Sequence, residues 1–174
     1  TTLECRLLDE DDEAHATGRF GECLAKLEQI KRERNLEPMR GKAVLLLHGL
    51  AAPRWSMKLL AQYLRKQADC ETFVVEYAST RSTIDDQARG LASVVRSLEG
   101  IEQINLVGHS MGNIVIRRYL AGDDTPTQGW RPDPRIGRIV MIAPPNHGSI
   151  TAPRLSDNMV FKTLLGASGR QLGV

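Results

Sequence analysis

Apolar positions along the chain alternate between two spacings. Ala43-Val44-Leu45-Leu46-Leu47 is an unbroken apolar run, short enough for a strand buried on both faces. Pro53 then opens a helix at its first turn, with Leu59, Leu60, Tyr63 and Leu64 expected on one face. Residues 72–77 read as a second strand. Ser82 or Thr83 caps the next helix, with Asp85 or Asp86 three residues on, and Ile84, Ala88, Leu91, Val95 and Leu98 form its apolar stripe up to Gly100. Residues 103–107 predict a third strand, residues 111–121 a helix stopped by Gly122, and residues 138–142 a fourth strand. Upstream, Cys23, Leu24, Leu27 and Ile30 predict a helix over residues 20–33, ended by Pro38. Apolar strands alternating with helices predict an α/β fold, a mainly parallel sheet with helices on both faces. Residues 1–40 read as an N-terminal extension with one helix, and residues 41–174 as the N-terminal portion of an α/β domain whose C-terminal part is expected to be missing.

Composition narrows the function without naming it. The chain has 174 residues, 41% apolar and 25% charged, which is globular rather than disordered. A net charge of +2 is too small to argue for an anionic membrane or for nucleic acid, and no nucleic-acid partner is expected. The charge is unevenly spread: residues 1–41 hold 7 Lys/Arg and 10 Asp/Glu, and the run from Asp9 to Glu13 reads as a solvated turn. No apolar run is long enough for a transmembrane helix, and the first residues do not resemble a signal peptide, so the compartment is not legible. Cys5, Cys23 and Cys70 have no metal-ligand spacing. Cys5 and Cys23 either close an N-terminal loop or stay reduced.

The candidate chemistry lies at Gly108-His109-Ser110-Met111-Gly112, between a predicted strand and a predicted helix. A serine on so tight a strand-to-helix turn has a strained backbone and holds its hydroxyl over the carboxyl end of the sheet, flanked by glycines that avoid collision. Ser110 is therefore the expected nucleophile. An acyl-transfer site also needs two N–H donors for the oxyanion. Met111, after the nucleophile, supplies one. The loop His48-Gly49-Leu50 ends the first strand and offers Leu50 as the other, with Ala51 its neighbour. His48, Gly49, Gly108, His109 and Gly112 are expected to support the site.

Taken together, His48-Gly49-Leu50, the 108–112 turn and Ala143-Pro144-Pro145-Asn146-His147-Gly148-Ser149 resemble the lipase and esterase branch of the α/β-hydrolases over roughly residues 42–150. That resemblance implies ester hydrolysis through an acyl-enzyme on Ser110, no cofactor and no metal, and a small-molecule or lipid ester as partner, with peripheral lipid contact allowed. An acyltransferase using the same acyl-enzyme, or a non-catalytic binding protein of this fold, are the alternatives. In the family an Asp or Glu and then a His follow the serine. No histidine follows His147 here, so the acid and base are expected outside this chain, which would continue past Val174 and by itself have negligible esterase activity. His147, with Asp157, is the alternative base within the chain. Asn113 stands where many relatives have a second glycine. Trp55, Met57 and Trp130 are candidates either for an acyl pocket or for the core, and Arg117-Arg118 reads as a solvated helix face.

Overall fold

The computed structural model describes residues 4–9, 11, 13–125 and 129–146. The backbone divides into two compact units, Thr1–Met39 and Arg40–Val174. In the first, β1 (Cys5–Leu8) pairs antiparallel with β2 (Ala14–Gly18), followed by α1 (Phe20–Glu33). The two strands go beyond the single helix expected there. Their connection is organised by Asp9, whose Oδ1 accepts from the amides of Asp11 and Glu13 and whose Oδ2 meets His15 Nε2 at 2.9 Å. Helix α1 ends at Glu33, five residues before Pro38, because Asn35 turns left-handed (φ 48°).

The second unit contains β3 (Gly41–Leu47), a 3-10 turn (Arg54–Met57), α2 (Lys58–Gln67), β4 (Glu71–Val75), α3 (Ile84–Ser97), β5 (Ile101–His109), α4 (Met111–Ala121) and β6 (Ile136–Ile142). The four strands form one parallel sheet in the order β4-β3-β5-β6. This is the α/β class that the alternating pattern predicts. The apolar run in β3 is buried as expected: Leu45, Leu46 and Leu47 are fully enclosed. Each such side chain contributes at most about 1.5–3 kcal/mol.

Successive residues of a strand face opposite sides. Val44 and Leu46 pack with Val107 against Met57 and Ala61 of the α2 segment. Leu45 and Leu47 face the other layer, where α3 and α4 lie against each other and α4 against β5. Leu60 and Leu64 join the α2 contact, but Leu59 and Tyr63 are 80% and 61% exposed, so the four do not share one face as predicted. Helix α3 starts on a capping box: Thr83 Oγ1 accepts from the Asp86 amide at 3.1 Å, and the Asp86 carboxylate accepts from the Thr83 amide.

Parallel register decides where the site forms. Leu47 is level with Val75 and with Gly108, and His109 with Ile142. The 48–51 loop, Ser110 and the segment after β6 therefore leave the sheet at the same carboxyl edge, where ligands bind in open α/β sheets.

Candidate active site

Helix α4 begins at Met111 with no linker after β5. The single residue between them, Ser110, absorbs the reversal with φ 51° and ψ −117°. Such a conformation costs an L residue on the order of 1–3 kcal/mol and persists only where its surroundings enforce it. The Ser110 amide donates to the Ile142 carbonyl at 3.0 Å. Its carbonyl accepts from the Asn113 amide at 3.1 Å and from Asn113 Nδ2 at 3.0 Å. Asn113 is wholly buried, and its Nδ2 also donates to the Ile142 carbonyl at 3.0 Å. One carboxamide thus ties the turn to the end of β6.

The flanking glycines make room rather than supply unusual torsions. A Cβ at Gly112 would stand 2.6 Å from the Leu47 carbonyl oxygen, and one at Gly108 2.6 Å from Asn113 Oδ1. At Gly49 it would lie 3.1 Å from His109 Nδ1 and 3.3 Å from Ser110 Cβ. The 48–51 loop therefore rests against the serine, and the His109 ring packs on that loop.

Two side chains orient the two peptides proposed as oxyanion donors. His48 is 2% exposed; its Nδ1 lies 2.8 Å from the Gly49 carbonyl oxygen, which requires Nδ1 to carry the proton. Its ring stacks on Tyr77 with centroids 4.4 Å apart, and the Tyr77 hydroxyl donates to the His48 carbonyl. Burial pushes the His48 pKa below 6.5, outweighing the Gly49 hydrogen bond and the Glu76 charge, so the ring is held neutral. In a trans peptide the C=O and the following N–H point in opposite directions. With the Gly49 carbonyl held by His48, the Leu50 N–H is turned the other way. With the Ser110 carbonyl held by Asn113, so is the Met111 N–H. Among the described residues neither amide has a hydrogen-bond partner, whereas the Ala51 amide donates to Ser79 Oγ at 3.1 Å. The Ala51 amide is thus taken up by Ser79, while the Leu50 amide is not. The sequence pattern gives no sign of Tyr77 or Ser79 at the site, and for Asn113 the one sign is that it stands where a second glycine is common.

Other sequence candidates fall elsewhere. Met57 is 5% exposed and belongs to the core under α2. Trp130 is also core: its Nε1 donates to the Tyr119 carbonyl near the far end of α4, about 13 Å along the helix from Ser110. Trp55 is 68% exposed. Arg118 is not merely solvated: it bonds Asp85 and the Gly122 carbonyl and lies 4.8 Å from the Trp130 ring centroid. Arg117 is exposed but donates to Asn146 Oδ1. Cys5 and Cys23 are free thiols, and their mutual hydrogen bond together with burial, the larger cause, pushes Cys5 up to about 11. His147 and Asp157 lie outside the described residues. A polar groove of about 650 Å³ lined by Arg40, Lys42, Arg65 and Lys66 sits at the amino end of β3, opposite Ser110, and has no part in the site. No group of three or more His, Cys, Asp or Glu that would hold a metal occurs among the described residues.

A family model described as the alpha/beta hydrolase family matches residues 44–172. No curated protein matches the chain.

Proposed function

The chain belongs to the alpha/beta hydrolase family, and from that premise we propose that it is a serine hydrolase of carboxylic esters, of lipase or esterase type, acting through an acyl-enzyme on Ser110. The observation that carries this reading is the strained left-handed backbone at Ser110, clamped on both its amide and its carbonyl, beside two amides that have no partner among the described residues. Strain that is over-determined by its neighbours is a feature of functional residues.

In this mechanism Ser110 Oγ bonds to the ester carbonyl carbon as its proton passes to a histidine base. The carbonyl oxygen becomes an oxyanion, held by the N–H groups of Leu50 and Met111 at the positive end of α4. Collapse breaks the C–O bond, and the leaving alkoxide takes the proton. Water then attacks the acyl-enzyme through a second oxyanion and frees the acid. Each donor contributes roughly 10²–10³ in rate. His48 and His109 are not assigned the base: the first is buried, neutral and committed to the Gly49 carbonyl, and the second packs on Gly49. They position the oxyanion loop instead.

The test is reaction of the full-length protein with a fluorophosphonate probe and a short aryl ester. Stoichiometric labelling at Ser110 and a burst of aryl alcohol are expected, both lost in Ser110→Ala. Folded full-length protein that takes no label would discard the reading. Ester products formed with added alcohols would move it to acyl transfer.

A further inference from the structure

The 3-10 turn Arg54–Met57 and helix α2 together are apolar on two sides, and packing against the sheet accounts for only one. The inner side sends Met57, Leu60, Ala61 and Leu64 against Val44, Leu46 and Val107. On the other side Trp55, Leu59 and Tyr63 are 68%, 80% and 61% exposed. Leu59 and Tyr63 are four residues apart in α2, a step that turns a helix by only about 40°, so they share one strip facing away from the core, and Trp55 is exposed in the 3-10 turn that leads into it. A surface helix ordinarily carries polar side chains there. We propose that this outer face of α2 docks on the surface of an anionic phospholipid bilayer, with Trp55, Leu59 and Tyr63 entering the interfacial layer.

Three observations favour a bilayer over other occupants. Leu59 lies in sequence between the aromatic Trp55 and Tyr63, and Trp and Tyr suit a boundary that is apolar on one side and wet on the other. Residues 51–68 hold no Asp or Glu, and α2 carries Lys58 and Lys66 besides Arg65, whose guanidinium is turned to Thr72 of β4, although the chain as a whole is nearly balanced at 23 basic and 21 acidic residues. A basic segment beside an exposed apolar strip is the combination that holds an interfacial helix on anionic lipid. Third, three side chains expose on the order of 400 Å², about half of what a stable protein interface buries on each partner. A bilayer needs no complementary face. Because the segment starts soon after Leu50, docking would also bring the carboxyl edge of the sheet near lipid esters; that orientation rests on the ester-hydrolase reading, while the binding does not.

The experiment is sedimentation of the full-length protein with vesicles of phosphatidylcholine alone and of phosphatidylcholine with phosphatidylserine. At low salt the bound fraction should rise at least fivefold with phosphatidylserine and fall as salt is added. The triple variant Trp55→Ser, Leu59→Gln, Tyr63→Ser alters exposed positions only; it should keep the wild-type melting temperature and bind at least tenfold more weakly. Brominated lipid should quench Trp55, leaving the buried Trp130 as an internal control. Ser110→Ala should bind like the wild type, so loss of hydrolysis and loss of docking are distinguishable. Equal binding by the triple variant, indifference to phosphatidylserine, or Trp55 shielded from acrylamide in vesicle-free protein would each overturn the proposal. So would a dimer in solution that the triple variant converts to monomer, since the strip would then belong to a second copy.

Discussion

At Ser110 a torsion that the side chain disfavours is held by neighbours that offer it no alternative partners. Asn113 is the chief of these, and Asn113→Ala should lower stability by about 1–3 kcal/mol in urea, since it removes two buried hydrogen bonds. It should also slow fluorophosphonate labelling of Ser110 more than it weakens the reversible binding of an aryl ester, because the Met111 peptide loses its tether. Gly112→Ala drives a Cβ into the Leu47 carbonyl; a loss of roughly 1–3 kcal/mol is expected from such overpacking. His48 links the site to pH. Its folded pKa lies below 6.5, so on acidification the unfolded chain takes up this proton first. Its contribution is intact above about pH 7 and declines as pH falls from 6.5 toward the lowered folded value. The urea midpoint measured from neutral to mildly acidic pH should drop in the wild type and drop less in His48→Gln, whose side chain does not titrate.

At the scale of elements, α3 shows how two ends of one helix are satisfied by different parts of the chain. Its start is local: the Thr83–Asp86 box lies within four residues, and the Thr83 hydrogen bonds and the Arg89 charge hold the Asp86 carboxyl low although burial pushes it up. Its end is distant: Arg135, ahead of β6, donates to the carbonyls of Val95, Leu98 and Ile101 while paired with Asp133. Thr83→Ala should cost about 1 kcal/mol. Arg135→Met should cost about 2 kcal/mol, and Arg135→Lys should restore little of it, because an ammonium does not span three carbonyls and a carboxylate at once. Equilibrium urea unfolding of the three variants measures both expectations. Arg118 acts similarly between α4 and α3, lying over Trp130 while bonded to Asp85.

For the whole molecule the uneven feature is the β6 side of the sheet. Ile139, Val140, Met141 and Ile142 are all more than a third exposed, whereas β3, in the interior of the sheet, is enclosed. An apolar edge strand of this kind templates pairing with other chains. Among the described residues β6 is the last strand on that side; self-association with rising concentration is expected, and Val140→Lys is expected to suppress it, as read by light scattering. The same variant should leave fluorophosphonate labelling of Ser110 unchanged, since Val140 stands level with Val107, short of the turn.

The sequence by itself determined the helices and strands of residues 41–142 and the junction that bears Ser110, because periodicity, caps and a two-glycine turn are properties of neighbouring residues. It left β1 and β2 unseen, since Cys5-Arg6-Leu7-Leu8 and Ala14-His15-Ala16-Thr17-Gly18 lack the β-branched and aromatic alternation that marks a strand. Only the tertiary structure decided that Asn113 joins Ser110 to Ile142, that Ser79 occupies the Ala51 amide, that Trp130 lies far from the serine, and that Leu59 and Tyr63 face outward. Each depends on sheet register or on the rotation of a helix about its axis. Those are set by packing among residues eleven to twenty-nine positions apart, which leaves no local trace in the chain.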